Sequence, residues 1–232
     1  MPEKITKIVE EARSKGRKFL LENEAKNICK EYGIPITQLE IAHTAEEASE
    51  FSEQIGYPIV LKIISPDVLH KFDVGGVILN VKSQKEARKA YNQIVENIKK
   101  HKPDARIDGI LVQEMAPCGT EIIVGSIKDA QFGSTLMFGL GGTFVEVMKD
   151  VSFRIAPITE ADAQEMISEI RAYPILQGYR GQPPCDISAI IRILLSTSKL
   201  VMDHQEIKEL DLNPVIVYEK GAKTVDARII LE

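Results

Sequence analysis

Glu209-Leu210-Asp211-Leu212-Asn213-Pro214 alternates polar and apolar residues, and Thr224-Val225-Asp226-Ala227-Arg228 follows shortly after it. Successive side chains of a β-strand point to opposite faces, so Glu209, Asp211 and Asn213 share one face while Leu210 and Leu212 take the other. The returning stretch alternates in the same way. A turn centred between Glu219 and Lys220, with Gly221 in it, sets Asn213 opposite Asp226 and Asp211 opposite Arg228. A slip of one residue would break that pairing. A carboxylate and an amide oxygen side by side on neighbouring strands suit a hard cation. Mg²⁺ is commonly held by one or two such ligands, with nucleotide phosphates and water completing the octahedron. The plain alternative is a solvated sheet face. Against it, the acids gather at the strand end nearest Pro214 and apolar residues continue on both sides. Several acids with a single Arg are costly on a partly buried face unless something compensates them.

Working outward, helical spacing runs through Leu21, Ala25, Ile28, Cys29 and Tyr32, after a charged leader, and Gly33 with Pro35 stops it. Three more helices are announced by capping boxes at Thr44/Glu47, Ser83/Glu86 and Thr159/Asp162, each followed by an apolar stripe. Another opens at Asp186. Strand character marks residues 57–64, 76–81, 107–115, 121–127 and 143–148, and the final pair 207–218 and 223–231. Helices and strands alternate early, strands dominate the middle and a hairpin closes the chain. That order predicts an α+β fold of two subdomains, 1–108 and 109–232.

The 232 residues are enough for a full core. An apolar fraction of 44% and a charged fraction of 27% are those of a globular protein. A net charge of −5 argues against nucleic acid as partner. Cys29, Cys118 and Cys185 form no CxxC and no His pair stands at ligand spacing, which excludes a simple disulfide framework and argues against a structural zinc site. No apolar run is long enough for a membrane helix, and Met1 to Lys7 lacks the apolar core of a signal peptide. The expectation is a cytoplasmic protein without membrane contact.

Lys62 is the only charge in Pro58-Ile59-Val60-Leu61-Lys62-Ile63-Ile64. It either snorkels from a sheet edge or is held in a cleft by an anion such as a phosphate. Glu114, in Val112-Gln113-Glu114-Met115, ends a strand. It is either an ordinary charged strand end or an acceptor for ribose hydroxyls, with the backbone beside it reading adenine. Gly139-Leu140-Gly141-Gly142 matches neither common phosphate-loop pattern and reads as a tight turn between strands. His43, His101 and His204 adjoin helix ends, where solvated or capping roles are expected. His70 differs, lying in a loop bounded by Pro66 and by Gly75-Gly76, limits that suit a segment moving as a unit. A neutral imidazole can attack a phosphoryl group, and Lys71 could neutralise its charge. The plain reading is an ordinary loop histidine.

Taken together, these stretches resemble the ATP-grasp proteins, and more narrowly the β subunits of ADP-forming acetate–CoA ligases. The most specific part runs from Val112-Gln113-Glu114-Met115 through Gly125, Phe132-Gly133, Phe138-Gly139-Leu140-Gly141-Gly142, Val145-Glu146 and Asp150 to Phe153-Arg154 and Ala156-Pro157. His70-Lys71, Asp73 and Gly75-Gly76-Val77 resemble the family's histidine loop. Gly178-Tyr179-Arg180-Gly181 and Glu209–Pro214 extend the likeness, which begins near Leu21.

The resemblance implies an ATP-grasp fold with the nucleotide between two α+β subdomains. It implies a reversible conversion of acetyl-CoA, ADP and phosphate into acetate, CoA and ATP. The phosphoryl group would pass through a histidine of an α subunit, which also carries the CoA-binding part, and then through His70. Lys62 would contact nucleotide phosphates, Glu114 and Met115 the nucleoside, and Asn213 with Asp226 the Mg²⁺. Glu121, Arg154 and Asp211 would assist. An α₂β₂ assembly is implied. Phe72 departs from the pattern, which has a small polar residue at that position. Rival readings are a ligase subunit for another acid, such as succinate or an aryl acetate, and a non-catalytic nucleotide sensor.

Overall fold

In a computed structural model, residues 2–68, 70–142, 149–181 and 183–232 are described. Helices α1 (Pro2–Ser14) and α2 (Glu22–Glu31) come first. Next are β1 (Leu39–Ala42), α3 (Ala45–Ile55), β2 (Ile59–Ile64), β3 (Val77–Val81), α4 (Gln84–His101) and β4 (Gly109–Glu114). The chain continues through β5 (Thr120–Asp129), β6 (Gly133–Leu140), β7 (Val151–Ile155), α5 (Glu160–Glu169), α6 (Tyr173–Leu176) and α7 (Ile187–Asp203). It closes with β8 (Ile207–Val217), β9 (Ala222–Thr224) and β10 (Ala227–Leu231).

Two compact units result: Thr37–Pro117, and Met1–Ile36 together with Cys118–Glu232. A single cut at Asp108 therefore does not describe the division. β4 is an interior strand bonded to both β1 and β2, and Asp108 itself donates to the Ile64 carbonyl at 2.8 Å. The first 36 residues belong with the C-terminal sheet. Ile5, Val9, Ile28 and Ile34 enter its core, and Phe19 and Ile36 bridge to Ile230 and Thr224. The charged leader is in fact α1, whose Ile5, Val9 and Ala12 recur at helical spacing and are buried.

The smaller unit is an antiparallel sheet in the order β1-β4-β2-β3. Ile59, Leu61 and Ile63 alternate onto the face where Ala48 of α3 and Ala87, Ile94 and Ile98 of α4 complete a core. The larger unit is a sheet in the order β10-β8-β5-β6-β7, with β9 pairing β8. One face, carrying Leu136, Leu210, Leu212 and Ile229, forms a core with Ile28, Met166, Ile190 and Leu194.

The expected helix starts are all present. Thr44, Ser83 and Thr159 accept from the N–H three residues on, and Asp186 accepts from Ala189. Only Thr159 and Asp162 form the reciprocal box. Glu47 and Glu86 reach one residue further back, to the N–H groups of His43 and Lys82. The expected strand 143–148 lies outside the described residues. Three strands escaped the sequence reading: β1, β6 and β7.

Candidate functional site

The closing hairpin has the register that its alternation implies. Arg228 stands opposite Asp211 and Ala227 opposite Leu212. The Asn213 N–H donates to the Asp226 carbonyl at 3.2 Å, so these two residues are neighbours across the strands. The pairing continues through Val215–Thr224 and Val217–Ala222 to a turn in which the Tyr218 N–H donates to the Gly221 carbonyl at 3.0 Å. The turn is pinned from outside. Asp186, capping α7, accepts from the Gly221 N–H at 2.8 Å, and its own N–H donates to the Tyr218 carbonyl. Leu210 and Leu212 are buried and Asn213 is exposed, as a period of two requires.

The Asp211 carboxyl is pushed up to about 6, mainly by burial and then by the charge of Asp226, with Arg228 acting in the opposite direction. Two carboxylates close enough to raise one another are an environment a divalent cation relieves. Among the described residues no group of three His, Cys, Asp or Glu side chains converges as a closed metal cage. The residues present fit an ion of the Mg²⁺ type, which takes few protein ligands and leaves positions for phosphate oxygens and water.

Gly125, on β5, lies directly beside Asp211, and a Cβ there would come within 3.3 Å of the Leu210 carbonyl oxygen. The same row runs on through Met137 to Phe153. The sequence reading missed this row, because β6 and β7 lacked clear strand patterning. Glu121 opens β5 with an exposed side chain, and its carbonyl accepts from the Gly141 N–H at 2.8 Å. A Cβ on Gly141 would stand 3.0 Å from that of Glu121. Of the glycine run, Gly139 and Leu140 finish β6, Gly141 bonds to Glu121 of β5, and Gly142, at φ +64°, takes the turn.

Arg154 does not join the cluster. β6 and β5 separate it from β8, roughly 14 Å across the sheet. Its register row is that of Leu136, Ser126 and Leu210, on the opposite face from Asp211. There it pairs with Glu165 at 3.2 Å and with Glu169, both on α5. Asp150 is also structural, its carboxylate accepting from the N–H groups of Arg171 and Ala172.

In the smaller unit Lys62 is 5% exposed, in a strand flanked by β4 and β3. Snorkelling from a sheet edge is therefore excluded. Its neighbours Leu61 and Ile63 face the helices, so the ammonium projects from the other side of the sheet. A buried ammonium on an apolar strand requires anionic or hydrogen-bonded company. Glu114 ends β4, with one carboxylate oxygen accepting from the Gln38 N–H at 2.7 Å. The Met115 N–H donates to the Pro58 carbonyl at 3.0 Å, which leaves it no donor role toward a base in this arrangement.

His70 is exposed, but its loop is anchored on both sides. Asp67 accepts from the Arg106 N–H and from the Lys102 ammonium, and Val68 is buried in the core. Beyond the histidine, the Gly76 N–H donates to the Lys71 carbonyl at 2.7 Å, and Asn97 donates to the Gly75 carbonyl. A Cβ on Gly76 would stand 2.6 Å from Ile63 Cγ2 and 2.9 Å from the Lys71 oxygen. The loop thus has two bonded roots, with His70 presented between them. Phe72 is 70% exposed.

Of the other histidines, His204 is buried and bonded to Glu206 at 3.0 Å, so its position at the end of α7 is capped, not solvated. Cys29 is packed in the core, and burial pushes its thiol up to about 12. No helix among the described residues is long and apolar enough to cross a membrane.

Residues 11–231 match the family of ATP-grasp domains. The β subunit of acetate–CoA ligase [ADP-forming] I from Pyrococcus furiosus is 51% identical over 228 residues, covering 98% of each chain. The acetate–CoA ligase [ADP-forming] I of Archaeoglobus fulgidus is 49% identical, over 99% of this chain and 33% of its own length. Among solved structures, acetyl-coenzyme A synthetase 1 of Ca. Korarchaeum cryptofilum, in complex with coenzyme A and Mg-AMPPCP, has a phosphohistidine segment pointing towards its nucleotide binding site. It superposes with a TM-score of 0.88 at 51% identity, over 98% of this chain and 100% of its own. The chain belongs to the ATP-grasp domain family and, within it, to the β subunits of ADP-forming acetate–CoA ligases.

Proposed function

We propose that this chain is the nucleotide-binding, phosphoryl-transferring β subunit of an ADP-forming acetate–CoA ligase acting in the cytoplasm. With an α subunit it converts acetyl-CoA, ADP and phosphate into acetate, CoA and ATP. The observation that carries the reading is the Asn213–Asp226 pair beside the half-buried Asp211, in a chain of this family.

Asn213 and Asp226 would hold Mg²⁺, which when bound neutralises charge on the nucleotide phosphates. Lys62 supplies a cation for nucleotide phosphates, and its burial strengthens that attraction. The Glu114 carboxylate and the Met115 carbonyl, whose own N–H is spent on Pro58, take the nucleoside side. Glu121 lies where the glycine run leaves β6, and Asp211 orients the hairpin ligands through its charge.

An imidazole nitrogen of His70 attacks the phosphorus of a phosphohistidine on the α subunit. One N–P bond forms as the other breaks; the second ring nitrogen of His70 releases its proton, and the α imidazole leaves neutral after taking one up, so protons balance. In the second step a terminal oxygen of ADP displaces the His70 nitrogen, giving ATP and free imidazole. CoA binding and acyl transfer reside on the α partner, in an α₂β₂ assembly. Incubating both subunits with acetyl-CoA and labelled phosphate tests this. The expected result is an acid-labile, base-stable label on this chain that is absent in His70→Ala, and no label at all would overturn the reading.

A further inference from the structure

The helices of the larger unit pack on the sheet face that carries Leu136, Leu210, Leu212 and Ile229. The other face ends in apolar side chains that stand open. Ile127 and Ile155 flank Thr135 in one register row, and Phe153 follows Met137 in the next. Ile127, Phe153 and Ile155 are each just over half exposed, and Phe132, at the turn between β5 and β6, is 61% exposed. Neighbouring strands are roughly 4.8 Å apart and same-face residues along a strand roughly 7 Å apart, so these side chains form one patch. Single exposed apolar residues are ordinary, whereas a contiguous patch on a sheet face marks an interaction surface. Among the described residues β7 is also the outermost strand of the sheet, and its one charge, Arg154, is turned to the opposite face.

We propose that this open face seats the segment of the partner subunit that delivers the phosphoryl group. The proposal rests on the reading of the chain as a β subunit. Two observations select the occupant. First, the part of the Archaeoglobus relative that matches this chain is one third of a longer protein, and the Pyrococcus relative is one subunit of its ligase. The matched part works beside a further chain or domain, which needs a seat. Second, the Phe153–Met137 row runs without a break through Gly125 to Asp211 and Arg228. A segment lying on the apolar end is thereby directed at the carboxylate cluster. Glu209 stands in the Ile127 row and adds negative charge at its margin, so the fitting segment is apolar with a basic residue.

The test uses the full chain and its purified α subunit. Phe153→Thr and the double variant Ile127→Thr with Ile155→Thr keep strand-forming residues at exposed positions. Affinity for the partner is read by calorimetry, and Mg-ADP binding is read on the isolated chain. The expected result is a partner affinity at least about tenfold weaker in both variants, with Mg-ADP binding unchanged. Unchanged partner affinity in both would overturn the proposal. So would an isolated chain that is dimeric and becomes monomeric in the variants while partner affinity holds, because the face would then join copies of this chain. Failure of wild-type chain to bind Mg-ADP would overturn the nucleotide reading while leaving the docking measurement intact.

Discussion

The Asn213 backbone N–H meets the Asp226 carbonyl across the closing hairpin at 3.2 Å, which fixes the two side chains as neighbours. Asn213→Ala and Asp226→Ala each remove one oxygen ligand without disturbing the core residues Leu212 and Ala227. Mg-dependent binding of ADP should weaken about tenfold or more in each, as loss of a metal-site group commonly does. Calorimetry with and without Mg²⁺ checks this. A variant that binds Mg-ADP as well as the wild type would remove that residue from the metal site.

Lys62 is the one charge in an otherwise apolar strand whose residues are all buried. Lys62→Met preserves much of the volume and removes the charge. Thermal stability should change little, because the desolvation cost of the buried ammonium and the bonds it makes there offset one another. Nucleotide affinity should fall, by about 2 kcal/mol if a charge-assisted bond to phosphate is lost. Parallel melting and binding curves separate the two effects, and a loss of stability with intact binding would make Lys62 a structural residue.

Gly76→Ala should disable His70 from a distance. The added Cβ would meet a backbone oxygen at 2.9 Å as well as Ile63, so the loop root must shift. A loss of about 1–3 kcal/mol in denaturant melts is expected from such overpacking. Labelling at His70 should be lost with it. Full labelling in this variant would show that the root does not position the histidine.

Asp186 carries the pH prediction. The N–H groups of Gly221 and Ala189 hold its carboxyl below the usual range. A depressed folded-state pKa contributes stability above the unfolded value of about 3.9, and that contribution is lost as pH falls through the folded value. Asp186→Asn should therefore be less stable than wild type at neutral pH, with the difference shrinking below about pH 4. Asp186→Ala should cost about 1 kcal/mol for the helix cap and more for the freed hairpin turn. Urea melts at several pH values decide it, and a pH-independent difference would show that the carboxylate charge plays no part.

Arg154→Ala should lower stability by up to about 1 kcal/mol, the scale of a partly exposed ion pair, through loss of Glu165 and Glu169. Phosphoryl transfer should be unaffected, since the guanidinium lies on the far face of the sheet from Asp211. A large fall in kcat at unchanged stability would return Arg154 to the site.

Local chemistry determined much of this protein. Alternation put Asp211, Asn213, Asp226 and Arg228 on one face, and a turn taken as centred between Glu219 and Lys220 set Asn213 against Asp226 and Asp211 against Arg228, the register found. Thr44, Ser83, Thr159 and Asp186 marked helix starts, because a side-chain oxygen there satisfies an N–H that has no other partner. Long-range pairing decided the rest. The first 36 residues join the C-terminal unit through Phe19–Ile230 and Ile36–Thr224, contacts across nearly the whole chain that no window of sequence contains. Which face Arg154 takes depends on where β6 and β7 pair, and Gly133–Leu140 carries too little strand pattern to announce itself. The depth of Lys62 likewise follows from strand order, since an apolar run reads the same at a sheet edge as in its middle.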